Sequence, residues 1–206
     1  MDVSVLVEVP FCAFRPYASR EYQDTYPVPT PSAVYGMLLS LVGVRREDKA
    51  LHRGVRMVLA VEKLPEKAKV FRKLRRGKTL EDIRPDYQDL LLDLRLWIWL
   101  QQGRDTAPIP LPDKLATAFS SPSSVTRSGG LSLGESSYLV DTISIKEPPD
   151  AEGVFLQPNE EGFYSLPVWV DHQDTSRTIL RRFALTAMSL RSGLTSLWIE
   201  IPSSIV

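Results

Sequence analysis

The chain has 206 residues, of which 43% are hydrophobic and 24% charged, a composition that is typical of a globular protein and excludes a disordered chain. Lys and Arg total 25 and Asp and Glu total 25. The zero net charge gives no general indication of a polyanionic partner, so any nucleic-acid-binding surface must be local.

No apolar run reaches the roughly 18 residues that a membrane span needs, and Asp2 and Glu8 lie where a signal peptide would be basic. We therefore expect a cytoplasmic protein with no membrane partner. The single cysteine, Cys12, has no Cys or paired His near it in sequence, so we predict a buried apolar side chain there. We expect no metal and no cofactor.

Hydrophobic periodicity predicts the elements of the first half. The valines at positions 3, 5, 7 and 9 predict a strand over residues 3–14. Thr30 as the cap, Pro31 at the first position and Gly43 at the stop predict a helix. Strands are predicted over residues 55–64 and 90–101. The latter places two sets of side chains on opposite faces: Leu92, Leu94, Leu96, Ile98 and Leu100 against Asp93, Arg95, Trp97 and Trp99.

The second half is predicted to contain a short helix near residues 112–119, a helix over 176–190, and strands over 137–145, 153–157, 163–171 and 195–201. This order of elements is typical of an α+β, ferredoxin-like or RNA-recognition-type fold with extra strands in its second half. We divide the chain into a ferredoxin-like domain, residues 1–110, and a β-rich part, residues 111–206, packed on the same body.

Residues 67–78 form the strongest local charge cluster. Seven cations occur among twelve residues with no acid, and Phe71 lies within the run. Phosphate backbones bind such clusters, and an aromatic side chain can stack on an unpaired base. We predict a projecting basic hairpin that binds RNA, with a solvated face as the alternative. Its candidate RNA-binding residues are Lys67, Lys69, Arg72, Lys73, Arg75, Arg76 and Lys78.

The segment from Phe14 to Ser32 leads directly into the first predicted helix. It combines arginines and tyrosines with a helix N-terminus whose free backbone N–H groups suit a phosphate. The alternative is that the tyrosines pack over the sheet and the prolines only fix the path of the loop. The candidate RNA-binding residues here are Arg15, Arg20, Tyr22, Tyr26, Thr30, Ser32 and Tyr35.

The same segment carries a family resemblance. Phe-x-x-Phe-Arg at residues 11–15, followed by Thr-Tyr-Pro-x-Pro-x-Pro-Ser-x-x-x-Gly-Met-Leu at residues 25–38, resembles the CRISPR-associated Cas family five of the RAMP superfamily. Residues 127–135 are similar to the glycine-rich segment of that family, although Glu135 stands where the family often has arginine. This segment adds Arg127, Ser128 and Gly129 to the candidate RNA-binding residues.

The resemblance implies a ferredoxin-like domain with a β-hairpin thumb, here near residues 65–80. It also implies a subunit of a type I CRISPR (Cascade) effector complex that binds and caps the 5′ handle of the guide RNA (crRNA). The implied partners are this handle, the adjacent backbone subunit, the large subunit and, through the complex, target DNA.

One branch of the family cleaves the guide precursor, which would require an acid, a base and a cation. His52 and His172 are interpreted as surface or capping residues. Tyr22, Tyr26 or Tyr35 with a lysine could form a histidine-free site. Trp97 and Trp99 could stack bases on an open sheet, but burial is the preferred reading. We predict a non-catalytic binding subunit, with a crRNA-processing endoribonuclease or a purely structural scaffold as alternatives.

Overall fold

The computed structural model describes residues 3–16, 22–75, 83–127 and 129–203, and the side chains of these except 22, 72–75 and 83–85. Over these ranges it is a mixed α/β structure with helices α1 (Pro31–Leu41) and α2 (Leu111–Ser120). Short 3₁₀ helices cover Lys49–His52, Pro122–Ser124 and Thr175–Arg177. The strands are β1 (Val3–Cys12), β2 (Tyr22–Gln23), β3 (Arg56–Val61), β4 (Glu66–Arg75), β5 (Ile83–Gln101), β6 (Thr142–Ile145), β7 (Glu152–Pro158), β8 (Tyr164–Trp169), β9 (Ile179–Ser189) and β10 (Ile199–Glu200).

The strands form one sheet in the order β6-β1-β5-β3-β7-β9-β8, with every neighbouring pair antiparallel. Three further strands lie off this path: β4 and β10 pair antiparallel with β5 and β3, and β2 pairs parallel with β5. Helix α1 comes after β1 and the short β2, and α2 follows β5; both helices pack into the larger hydrophobic core. Neither helix is long and apolar enough to cross a membrane.

Local sequence explains why α1 begins and ends where it does. The Thr30 hydroxyl accepts a hydrogen bond from the Ala33 backbone N–H at 3.3 Å, and Pro31 occupies the first helical position. At the other end Gly43, with φ of 75°, donates to the Ser40 carbonyl, and the next N–H donates to the Leu39 carbonyl. This pair of bonds is a Schellman stop, which favours glycine. The predicted helix is confirmed.

The two faces of β5 are covered by different parts of the chain. Leu94, Leu96, Ile98 and Leu100 join the core beneath the helices, whereas Trp97 and Trp99 join a second cluster with Phe155, Leu190 and Leu197. The predicted alternation is therefore confirmed from residue 94 to 100. It is interrupted at Asp93, whose φ is 53°, so that Leu91 rather than Leu92 belongs to the helix-side core. Burial of Trp97 and Trp99 also removes them as base-stacking candidates.

The helix predicted over residues 176–190 is wrong, because Ile179–Ser189 is strand β9. Leucine, arginine, alanine and methionine favour a helix locally. In the fold β9 lies between β7 and β8, which satisfy its backbone hydrogen bonds on both edges. Phe183 packs into the core with Ile179 and Leu185 against it, which is the period of a strand.

Most other predicted elements are confirmed with shifted ends. The strand predicted over 137–145 contains only β6, Thr142–Ile145, and an isolated bridge joins Ser132 and Leu139 before it. Cys12 is fully buried as predicted, and burial raises the pKa of its thiol to about 12. It therefore acts as a small apolar side chain in the core.

Candidate nucleic-acid interface

An open groove of about 1140 Å³ runs along the outward side of α1. Its floor includes Ser32, Gly36 and Ser40, which are spaced four residues apart and so share one helix face. A Cβ atom added at the exposed Gly36 would meet nothing within 4 Å. One wall comes from Thr126, Arg127, Ser132 and Gly134, and the other from residues 44–49 and 168–172. The small floor side chains leave the helix surface accessible to a ligand.

Two glycines fix the glycine-rich wall against the rest of the fold. A Cβ at Gly134, where φ is 87°, would lie 2.3 Å from the Ala13 carbonyl oxygen at the end of β1. A Cβ at Gly43, where φ is 75°, would lie 2.6 Å from the Thr126 carbonyl oxygen. Both positions combine a left-handed backbone with close backbone approach, and only glycine meets both requirements. The wall is thus held by main-chain contacts.

Positive charge concentrates in this groove although the chain has no net charge. The cationic side chains that line it are Arg45, Arg46, Lys49 and Arg127, and of the described lining residues only Glu47 is acidic. Arg45 and Glu47 are 3.9 Å apart and largely exposed, so this ion pair is weak. A concave surface with excess positive charge attracts polyanions.

A packed aromatic cluster supports the wall at residues 168–172. The Lys49 ammonium lies 4.4 Å from the centre of the Trp169 ring, and the Arg53 guanidinium lies 4.1 Å from it. The Lys49 ammonium also donates to the Val170 carbonyl. The Tyr35 ring packs against Trp169 with ring centres 6.3 Å apart, and the Tyr35 hydroxyl donates to the Lys49 carbonyl at 2.5 Å. These contacts hold Lys49 in place at the groove.

The loop before α1 folds back on the end of β1. The Phe14 N–H donates to the Thr25 hydroxyl at 2.8 Å, and the Tyr26 N–H donates to the Phe14 carbonyl at 2.9 Å. Tyr26 is half-buried against the core, and burial raises its pKa. Arg15 is exposed, whereas Thr30 is buried and serves as the helix cap. Among the loop candidates, Ser32 and Tyr35 line the groove.

Glu135 links the glycine-rich segment to two other parts of the molecule. Its carboxylate accepts a hydrogen bond from the Gln88 side chain at 2.9 Å and lies 3.8 Å from the Arg15 guanidinium. The Tyr138 hydroxyl donates to the Gln88 amide oxygen at 3.2 Å. Glu135 thus has defined partners on β5 and on the chain after β1, which explains an acid at this position.

Strand β4 pairs antiparallel with the first half of β5, and we call this strand pair the arm. The turn of the hairpin predicted for the basic run lies outside the described residues. At its base the Lys67 ammonium lies 2.9 Å from a carboxylate oxygen of Asp24 and 2.9 Å from one of Asp89. Burial lowers the pKa of Lys67, but its hydrogen bonds to these carboxylates raise it above the ordinary value. Farther along, Phe71 and Tyr87 are half-exposed, with ring centres 5.4 Å apart.

The remaining candidate RNA-binding residues lie on the arm, on β2, in the glycine-rich segment or outside the described residues. Lys69 is exposed on β4, and the Arg127 guanidinium donates to the Gly129 carbonyl at 3.2 Å. Tyr22 lies in β2 and Arg72, Lys73 and Arg75 lie in β4, but their side chains are outside the described part. Arg20, Arg76, Lys78 and Ser128 fall outside the described residues.

The interpretation of His52 as a surface or capping residue is wrong. Its ring is fully buried, and Nδ1 lies 2.8 Å from an Asp105 carboxylate oxygen. The same carboxylate accepts hydrogen bonds from the Ala107 and Leu111 N–H groups, both at 2.9 Å, so the pair anchors the start of α2. His172 is exposed and lines the groove.

Sequence reasoning missed the wall formed by Arg45, Arg46 and Lys49. These cations follow α1 directly, and their position after the Gly43 stop could have indicated a charged helix end. Glu47 and Asp48 lie between them, which lowers the charge of that stretch of sequence. Folding separates the side chains, and Asp48 is not among the described residues that line the groove.

Comparison with known proteins identifies the family. The model of the family described as "CRISPR-associated protein (Cas_Cas5)" matches residues 3–120. A "CRISPR-associated protein Cas5" of Myxococcus xanthus (strain DK1622) is 36% identical over 187 residues, covering 85% of this chain and 86% of the relative. The chain therefore belongs to the Cas5 family of CRISPR-associated proteins.

Two solved structures share the fold. A chain of a "CRISPR RNA-guided surveillance complex" superposes with a TM-score of 0.68 at 14% identity, covering 92% of this chain and 90% of that one. A "Crystal structure of Cas protein" superposes with a TM-score of 0.54 at 18% identity, covering 92% of this chain and 95% of that one. At these identities the likeness shows a common fold.

Proposed function

We propose that this Cas5-family chain is a non-catalytic, RNA-binding subunit of a type I CRISPR (Cascade) effector complex in the cytoplasm. It binds and caps the 5′ handle of the crRNA and so supports RNA-guided DNA targeting in antiviral defence. The observation that carries the proposal is the groove along α1, where four cations and one acid surround a floor of small side chains. Such a surface attracts the phosphate backbone of single-stranded RNA.

The strand order supports a ferredoxin-like core for this role. Strands β6-β1-β5-β3, with α1 after β1 and α2 after β5, have the arrangement of a β-α-β-β-α-β unit with one added long arm. In this fold the groove lies on the helix side of the sheet. Trp97 and Trp99 on the other face are covered, so RNA binds over α1 rather than on an open sheet.

The arm provides the second part of the proposal. Its exposed Phe71 and Tyr87 rings present an apolar surface, and the sequence of residues 67–78 carries seven cations and no acid. We assign to the arm the contact with the adjacent backbone subunit and the clamping of RNA next to it. The large subunit contacts the remaining surface of the same body.

Chemistry at the described tyrosines favours binding over cleavage. The Tyr35 hydroxyl is held by the Lys49 carbonyl, and burial raises its pKa, with a further increase from the charge of Asp105. A general base or acid near neutral pH needs the opposite shift. His52 is enclosed with Asp105 and cannot reach RNA in the groove.

A titration of the purified chain with guide RNA tests the proposal. We expect tighter binding to RNA that carries the 5′ handle than to RNA that lacks it, with affinity falling as salt increases. The RNA should be recovered uncut after incubation in EDTA. A single defined cut would establish a processing endoribonuclease instead. Affinity for a neighbouring subunit that persists after ribonuclease treatment, with none for RNA, would establish a scaffold.

A further inference from the structure

The groove wall formed by residues 44–49 and 168–172 contains a group of cations that the sequence did not single out. Arg46, Lys49 and His172 all line this wall. The Arg46 side chain is exposed, and within the described part of the chain it forms no ion pair. Lys49 is half-buried and positioned by Trp169 and the Val170 carbonyl. The three side chains come from two separate segments that the fold brings to one surface.

These groups repel one another across the groove surface. Burial lowers the pKa of Lys49, and the charges of Arg46 and Arg53 lower it further, against the opposing effect of Asp171. Burial also lowers the pKa of His172, with additional lowering by Arg46 and Lys49 and an opposing effect of Asp171. Crowded, partly desolvated cations are stabilised when an anion binds between them.

The available donors match a phosphate group. An ammonium has three N–H donors, and one from Lys49 is used by the Val170 carbonyl, which leaves donors free for a ligand. The Arg46 guanidinium offers a planar pair of donors that suits two phosphate oxygens. The indole face of Trp169 limits the movement of the Lys49 side chain, so less conformational entropy is lost on binding.

We propose that Arg46, Lys49 and His172 form a subsite for one backbone phosphate of the RNA that lies in the groove. The proposal rests on the proposed function and adds to it, because it assigns an RNA contact to the wall beyond α1 and the glycine-rich segment. RNA thereby touches both walls, with Arg127 on the opposite one. The ligand of this subsite is a phosphodiester group of the RNA. Inorganic phosphate therefore probes the subsite separately from the rest of the RNA.

The experiment is a fluorescence-anisotropy titration of a labelled, handle-containing oligoribonucleotide with the full chain, using Arg46→Ala and the matched control Lys146→Ala. Lys146 is exposed, carries the same charge and lies outside the groove lining. We expect Arg46→Ala to weaken binding about five- to tenfold and to reduce the salt slope by about one. The control should change affinity by less than about twofold. Thermal unfolding of both variants verifies that the fold is retained.

A pH series on His172→Gln gives a second readout. The charged groups that face His172 are Arg46, Lys49, Asp171 and, across the same lining, Glu47. Bound phosphate stabilises the protonated imidazole, so wild-type affinity should rise as pH falls from about 7.5 to 5.5. His172→Gln should remove this rise. Inorganic phosphate should compete with RNA more strongly in the wild type than in Arg46→Ala.

The outcomes separate the subsite from the proposed function. If the wild type binds handle RNA and Arg46→Ala binds it equally well, the subsite is wrong and the proposed function stands. If the wild-type chain shows no affinity for handle RNA at low salt, both are wrong.

Discussion

The groove along α1 and the base of the β4–β5 arm both present cations, but the surroundings of those cations differ. At the base of the arm, Lys67 is paired with the carboxylates of Asp24 and Asp89, each 2.9 Å from its ammonium. In the groove, Arg46, Lys49 and Arg127 share a surface with one described acid, Glu47. Local ion pairing, rather than the number of cations in a stretch of sequence, decides where a fold is electropositive.

The difference arises from tertiary contacts. Residues 67–78 contain no acid, so the arm is the more basic region in the sequence. Strand β2 and the first half of β5 then bring Asp24 and Asp89 to Lys67 from distant positions. The residues after α1 are mixed in charge along the chain, and the fold places three of their cations toward the groove. We therefore expect RNA to depend more on the groove than on the base of the arm.

The largest effect is expected from removing the groove wall. Gly134→Ala would place a Cβ 2.3 Å from the Ala13 carbonyl oxygen at a φ of 87°. We expect a loss of roughly 2–4 kcal/mol in the free energy of unfolding, from backbone strain together with the clash. RNA affinity should also fall, because Gly134 and the neighbouring Arg127 and Ser132 line one wall of the groove. Urea unfolding and an RNA titration measure the two effects.

Gly129→Ala is the matched control for that change. Its φ of 78° imposes a similar backbone strain, but an added Cβ would meet nothing within 4 Å. We expect a loss of only about 1–2 kcal/mol. Equal destabilisation by both alanines would show that the contact with β1 contributes nothing to the wall.

The second largest effect is expected on RNA affinity when one cation from each region is replaced by alanine. Arg127→Ala should weaken RNA binding about five- to tenfold and lower the salt slope, because Arg127 lines the groove. Lys67→Ala should weaken binding by only about two- to threefold, since this ammonium is paired with two carboxylates and lies outside the groove lining. Filter binding at several salt concentrations measures both. A larger loss for Lys67→Ala would reverse the ranking of the two regions.

The smallest effect comes from making the base of the arm resemble the groove. Asp24 is exposed, and its hydrogen bond from Lys67 lowers the pKa of its carboxyl group, so it is ionised at neutral pH. Asp24→Asn removes this charge, and Lys67 keeps Asp89. We expect RNA affinity to increase by about two- to threefold with a steeper salt dependence. Asp113→Asn, on α2 outside the groove lining, is the control and should leave affinity unchanged.

Local patterns predicted the elements whose determinants are local. Thr30, Pro31 and Gly43 define α1. The alternation of side chains defines the two faces of β5 from residue 94 to residue 100, after the interruption at Asp93. Strand β9 was missed because its helix-favouring residues are held by β7 and β8 on both sides. No local pattern indicates that partners distant in sequence will meet.

The candidate site was predicted only in part, because some of its residues are distant in sequence and meet only in the folded chain. The segment before α1 and the glycine-rich segment were identified from residue type, and both lie at or beside the groove. The wall at Arg46 and Lys49 was missed because it is completed by Trp169 and His172, more than a hundred residues away in the chain. The burial of His52 likewise depends on Asp105, which only the folded structure brings within 2.8 Å.

Photo-cross-linking distinguishes the two regions in one measurement. A handle-containing guide RNA with 4-thiouridine at successive handle positions is bound to the chain and irradiated, and the attached peptides are identified by mass spectrometry. We expect cross-links to residues 32–49 and 126–134, which border the groove. Cross-links confined to β4 and the first half of β5, with none at the groove, would contradict the assignment of the α1 groove as the RNA-binding surface.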